Sequence, residues 1–401
     1  MCLDEKDGHL LWQLVVPKRS EDPFFDWPNS GISSPATVEG DRAYIVSNRG
    51  EVLCLDVRGM ANGNDGPFQD EAVHQTVAGQ PTVDVGPLDA DIIWAFDLTT
   101  GAGIWSHDAA HSSILIRGDH LYLNTGNGVD NSHVKIRRPN APGLVVIDKK
   151  TGRLLARDEE HMSPRTFHCT WSAPSMARVG DRDLIFFAGG DGILYAFEPL
   201  SDDAVTSEVR KLKVAWKHDL DPAAPKEDVH RFNKNKAMGP SNVFGMPVAV
   251  DGNVFVAGGG DLWWGKNEAW LKFLDAATGE LRWTYPLDKH VMSTPVIHDG
   301  LVFIADVGRK VHCLDAATGK RCWTHETKGE FWASPMVADG KVYIGTRRGD
   351  FYVFAAAREK QLLSTADFGV PISATVTPAN GALFIATMRD LFAVCQILES
   401  K

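Results

Sequence analysis

The stretch Phe273-Leu-Asp-Ala-Ala-Thr-Gly-Glu-Leu-Arg-Trp283 returns as Cys313-Leu-Asp-Ala-Ala-Thr-Gly-Lys-Arg-Cys-Trp323. Asp275 and Asp315, Trp283 and Trp323, and Pro295 and Pro335 are each 40 residues apart. A period near 40 written in short strands is the signature of a β-propeller or a similar array, because one such unit cannot bury its own faces. The chain is therefore read as one domain over residues 1–401. It is an all-β closed ring, and its rims and central channel are where function is to be sought.

Each unit follows one order. A Ser- or Pro-marked start leads into an apolar strand, and an Asp-Gly-type turn leads to a second. A Gly-rich turn precedes a third strand ending in Leu-Asp. An Ala-Thr-Gly turn then leads to a fourth ending in Trp. These short apolar runs and turn residues are those of antiparallel strands. Starts at Ser33, Ser112, Trp171, Met246, Ser293, Ser334 and Ile372 give seven four-stranded blades. The last has little chain left for a fourth strand. The free segment Leu10-Leu-Trp-Gln-Leu-Val-Val16 is expected to complete it, hiding both sheet edges. Eight blades in a longer native chain is the alternative.

Composition bounds the partners. Hydrophobic residues make up 44% and charged residues 23%, as in a globular chain with a large core. The net charge of −11 argues against nucleic acid. No run of about 18 apolar residues predicts a membrane span. No signal peptide is visible, since Met1 is followed at once by Cys-Leu-Asp, the middle of a repeat. The native N-terminus is therefore expected to lie further upstream. Six cysteines, three of them (Cys2, Cys54, Cys313) before Leu-Asp, are read as small core residues. A monomer is expected.

Ring order decides which connections share a rim. The inserts at 20–30, 158–170 and 218–240 join consecutive units; those at 126–142 and 258–270 join second to third strands. All five fall on one face. The opposite face takes 57–90 and 199–211. Loops this long are usually functional or disordered, so the first face is the expected binding face. It carries Phe25 and Trp27, Arg137, His168, His230 and Arg231, and Trp263 and Trp264. His111 and Trp171 lie at the channel mouth. Aromatics beside Arg and Asn suit a protein segment or a carbohydrate. The competing reading is that these rings pack the loops onto the blades.

The repeat resembles that of the pyrroloquinoline quinone (PQQ) type propellers across essentially the whole chain. Its Asp-x-x-x-Gly-x-x-x-Trp core is matched by Asp275 to Trp283 and Asp315 to Trp323. It is weaker after Asp148, where Ala156 or Arg157 stands in place of the Trp. The resemblance implies that each Trp locks one blade to the next, and that the protein is periplasmic or otherwise exported. The family contains quinoprotein dehydrogenases with PQQ and calcium, and propellers of outer-membrane assembly. Asn124-Thr-Gly-Asn-Gly128 looks like the enzymes' calcium-binding segment, which makes Asn127 the implied ligand. His168-Cys-Thr-Trp171 looks like a motif that the catalytic Asp follows, but here Ser172 follows. A serine hydroxyl cannot take a proton from an alcohol as a carboxylate does. The enzymes' Trp floor and adjacent cysteine pair have no counterpart, and Glu51 is the sole acidic candidate for calcium.

The expectation is thus a non-catalytic scaffold with no catalytic residues and no cofactor. A PQQ- and calcium-dependent alcohol or sugar dehydrogenase is the alternative. His111, His168 and His290 form a separate candidate metal set on neighbouring blades.

Overall fold

The Asp of the repeat builds the turn that defines it. Asp275 Oδ1 accepts hydrogen bonds from the Ala277 and Thr278 amides and the Thr278 hydroxyl. The Gly279 amide donates to Asp275 O at 2.9 Å. Gly279 is required twice over. Its φ is +74°, and a Cβ there would sit 2.5 Å from the Trp216 ring of the preceding blade. The Trp216 indole N–H in turn donates to Ala276 O at 3.0 Å. The same lock joins Trp94 to Lys149 O, Trp283 to Ala316 O and Trp323 to Ala357 O. The spacing from Asp to Gly to Trp is therefore a blade-to-blade joint.

The computed structural model describes residues 1–19, 25, 31–201 and 208–395. Seven sheets follow one another as blades. Blade 1 comprises Thr37–Glu39, Arg42–Val46, Glu51–Asp56 and Ile92–Asp97. Blade 2 comprises Leu115–Arg117, His120–Asn124, Leu144–Asp148 and Leu154–Arg157; blade 3 comprises Ser175–Val179, Arg182–Ala188, Ile193–Phe197 and Val214–Asp219. Blades 4, 5 and 6 begin at Val248–Val250, Val296–His298 and Met336–Ala338 and repeat the four-stranded antiparallel order. Blade 7 has three described strands, ending at Leu391–Cys395.

Apolar cores lie between blades. Tyr44, Val46 and Trp94 of blade 1 pack with Leu121, Leu123 and Val145 of blade 2. Phe186 and Leu194 of blade 3 pack with Val254, Val256 and Trp270 of blade 4. Burial of this kind is roughly proportional to apolar area, so each blade depends on its neighbours.

Two expectations are corrected. Leu10–Trp12 does not complete the last blade; it pairs antiparallel with Cys2–Leu3. Asp4 and Trp12 have the same eight-residue spacing as Asp275 and Trp283, and the Gly8 amide donates to Asp4 O at 2.8 Å. A local hairpin closes at much lower entropic cost than a pairing across the ring. The hairpin sits between the end blades: Asn380 of blade 7 bonds Glu5, and the Trp12 indole donates to Val57 O of blade 1. The insert 57–90, assigned to the far rim, instead covers the outer flank of blade 1. Glu71 in its short helix accepts from the Ile92 amide, and His74 reaches Glu51 at 3.1 Å.

The insert 199–211 compensates for a missing Trp. Its strand Arg210–Lys211 adds in parallel to Leu154–Arg157, the blade-2 strand that carries Ala156 and Arg157 where the Trp would be. Cys54, Cys169 and Cys313 are buried, as expected of core residues, whereas Cys395 is exposed on blade 7.

Candidate functional site

The inserts of the expected binding face knit together. The Val129 amide donates to His168 O, joining 126–142 to 158–170. The Lys234 amide donates to Trp264 O at 2.7 Å, joining 218–240 to 258–270. Asn233 Nδ2 donates to His133 O, tying 218–240 back to 126–142. Phe25 O accepts from the Ala109 amide, bringing in the first insert.

Three imidazoles meet where these loops converge. His107 comes from the connection between blades 1 and 2, His133 from the insert in blade 2, and His168 from the connection between blades 2 and 3. Their metal-competent nitrogens lie within 4.8 Å of one another. His168 Nε2 is 3.0 Å from His107 Nε2. His107 Nδ1 bonds Val129 O at 2.7 Å, and His168 Nδ1 bonds Asp261 Oδ2 at 2.9 Å. His107 and His168 are buried; His133 is half-buried and forms the outer edge.

The cluster shapes its own electrostatics. Burial, then the neighbouring His168 and His133, hold the His107 imidazole well below its usual range. Burial pushes Asp108 up to about 6. Burial also works to raise Asp261, but the charge and hydrogen bond of His168, with the Trp263 and Trp264 amides, hold it below the ordinary carboxylate value. The backbone is strained here: Asp108, Ala109 and His133 have φ of +55°, +48° and +58°. Each such residue costs about 1–3 kcal/mol, and such residues persist only where surrounding contacts over-determine them.

Next to the cluster opens the central channel, about 800 Å³, lined by Trp171, Phe244, Met246, Met292, Trp332 and Met336 among others. The Trp171 ring stands edge-on to His168 at 5.3 Å and leans on Phe244 at 5.2 Å. Trp263 bridges the two regions, 5.5 Å from His168 and 6.1 Å from Trp332.

The remaining candidates divide between packing and rim. Phe25 is buried edge-on to Trp105, and the Arg137 guanidinium lies 4.0 Å over the Trp105 ring. Trp264 packs on His133 and receives Lys234. His230 stacks on Phe167 and bonds its carbonyl. Arg231 covers Phe232. Trp27 lies outside the described residues. The set His111, His168 and His290 does not assemble. His111 faces Ser106, burial pushing it down to about 3, and His290 bonds Lys266 O. His107 and His133, which sequence reasoning passed over, take their places.

The two residues expected to ligate calcium are engaged within the protein. Asn127 Oδ1 accepts the Trp105 amide at 2.8 Å, and its Nδ2 donates to Arg138 O and Ser163 Oγ. Glu51 is engaged by Ser47, Arg49 and His74. Calcium requires six to eight oxygens, and the oxygens of Asn127 and Glu51 already serve these internal partners.

The sequence matches the family described as outer membrane protein assembly factor BamB, over residues 1–209, 213–330, 267–361 and 307–395. The chain belongs to that family. Among solved structures, BamB from Moraxella catarrhalis superposes with a TM-score of 0.59, at 14% identity, over 90% of this chain and 84% of its own. This likeness is one of fold. Quinohemoprotein alcohol dehydrogenases from Pseudomonas putida and Comamonas testosteroni align at TM-scores of 0.44 and 0.45, with 15% and 12% identity. They cover 65% of this chain and 42% and 43% of their own. No curated protein matches the sequence. In this chain the Trp joints account for the repeat, and the three histidines sit on loops between its units. No helix among the described residues is long and apolar enough to cross a membrane.

Proposed function

We propose that this BamB-family propeller is a non-catalytic scaffold that takes an apolar segment of a protein partner into the mouth of its channel. One observation carries the reading: a cavity of about 800 Å³ walled by three aromatic rings and three methionines. That volume lies in the usual range for ligand sites, and methionines adapt to varied side chains. In the lining, Ser33 and Ser112 donate to Ala109 O and Ser172 O, while Thr294, Ser334 and Thr375 each accept one backbone amide and keep a hydroxyl hydrogen for a peptide carbonyl. Trp171, Trp263 and Trp332 engage each other's edges and faces instead of standing as open platforms. That arrangement favours an aliphatic or aromatic side chain over a sugar ring. Membership in an outer-membrane assembly family supports a periplasmic setting.

The test is selection from a displayed peptide library, followed by affinity measurement on Trp171→Ala and Trp332→Ala. The expected result is enrichment of peptides with an aromatic or aliphatic anchor, bound at least tenfold more weakly by each variant. Selection of no peptide, or of peptides indifferent to both substitutions, would sink the proposal.

A further inference from the structure

We propose that His107, His133 and His168 form a binding site for a borderline divalent transition metal of the zinc class, with Asp108 placed to complete it. The hydrogen bonds decide the tautomers. A backbone carbonyl can only accept, so His107 carries its proton on Nδ1, facing Val129 O. His168 likewise presents Nδ1 to Asp261 Oδ2, whose other oxygen is held by the Trp263 and Trp264 amides. Both Nε2 atoms therefore turn lone pairs toward one point, 3.0 Å apart. Two lone pairs at that distance repel unless a proton or a metal cation lies between them, and the third imidazole and the Asp108 carboxylate beside them favour the metal. Ligands of one zinc ion, each bound at about 2.0–2.1 Å, stand at a comparable separation.

The outer groups follow the same logic. A ligating imidazole almost always donates its second N–H to a carboxylate or carbonyl, which fixes the ring and raises its basicity. His168 has the carboxylate, His107 the carbonyl of Val129, and His133 Nδ1 lies 3.2 Å from Asn131 O. Asp108 adds an independent sign. Its Oδ2 is 3.5 Å from His107 Nε2, and its buried Oδ1 has no hydrogen-bond partner. A buried carboxylate oxygen without a partner is costly, and a metal would relieve that cost. Three imidazoles and one carboxylate suit zinc, copper, nickel or cobalt, and exclude magnesium and calcium as preferred ions. The half-buried His133 edge offers an entry path. Three imidazoles leave a coordination position for Asp108, water or a partner's side chain.

Because the ligands come from three loops, a bound ion would staple the connections around blade 2. The experiment uses untagged full-length protein, stripped with chelator and titrated with Zn²⁺ by calorimetry and thermal melting. The expected result is one Zn²⁺ per chain and a raised melting temperature, with no response to Mg²⁺ or Ca²⁺. His133→Asn, which keeps a residue tolerant of positive φ, should weaken binding at least 100-fold. Asp261→Asn, a change outside the ligand set, should weaken it about 10–100-fold. His298→Gln, on blade 5, should leave it unchanged. Co²⁺ loaded into the unaltered protein should give the intense visible bands of a four-coordinate nitrogen-rich site. That readout does not depend on any variant folding. Zn²⁺ binding that ignores His133→Asn, or a Co²⁺ spectrum of the hexa-aqua type, would overturn the proposal.

Discussion

Blades 5 and 6 are built from the same four strands as blades 1 to 3, yet the two regions handle their backbone differently. In blades 5 and 6 the positive-φ residues all lie in short turns between strands: Asp299 and Asp339 each precede a glycine, and Arg309 ends the turn after Leu301–Asp306. That is where aspartate and glycine serve hairpin twist at little cost. Around blades 1 to 3 the strained residues are Asp108, Ala109, His133 and His161, all in long connections. In the regular region these aspartates close turns, and the buried pair His312 and Asp306 sits within the strands of one blade. The irregular region buries histidines and carboxylates together on one rim. Packing accounts for the first, and the proposed metal site offers a reason for the second.

The comparison breaks most sharply at a blade joint. Trp323 is buried, pairs its N–H with Ala357 O and leans on Phe354. Trp323→Ala should cost about 3–5 kcal/mol of stability in denaturant unfolding while leaving Zn²⁺ affinity unchanged. A loss of metal affinity in the folded variant would mean the two regions are coupled.

A smaller effect tests the flank of blade 1. Burial works to raise the Glu51 carboxyl, but His74, Arg49 and Ser47 outweigh it and hold it at about 2. A depressed carboxylate stabilises the fold fully above its unfolded value near pH 4.3. That stabilisation fades as pH falls toward 2. Glu51→Gln should remove up to about 3 kcal/mol at neutral pH, flattening the acid limb between about pH 4 and 2. An unchanged acid limb would show that Glu51 does not tie the 57–90 insert to the ring.

The smallest effect lies at the site itself. A Cβ on Gly128 would fall 2.5 Å from Cys169 Cβ and 2.6 Å from His168 O. Gly128→Ala should cost about 1–3 kcal/mol and shift His168 away from His107, lowering Zn²⁺ affinity. Full affinity in this variant would mean the loop carrying His168 does not depend on that close approach.

What the sequence disclosed follows the same divide. The joints were legible because Asp, Gly and Trp act through local turns at constant spacing. The crowding of inserts on one rim was legible from strand order alone. The N-terminal hairpin was misread because Leu10–Trp12 resembles a fourth strand, and its Cys2–Leu3 partner is only two residues long. The histidine cluster escaped because its members, at 107, 133 and 168, sit on three loops with no spacing motif. The available signal was that ring order puts all three loops on one rim beside blade 2. Asn127 was read as a ligand by resemblance, whereas its amide is taken up by Trp105, Arg138 and Ser163.

The central claim is that recognition belongs to the irregular rim and stability to the repeat. It is tested most directly by measuring affinity for one selected peptide in Trp171→Ala and Trp323→Ala, well below each melting temperature. The expected result is at least tenfold weaker binding with little change in melting for Trp171→Ala, and the reverse for Trp323→Ala. Equal binding by both variants, or lost binding only in Trp323→Ala, would contradict it.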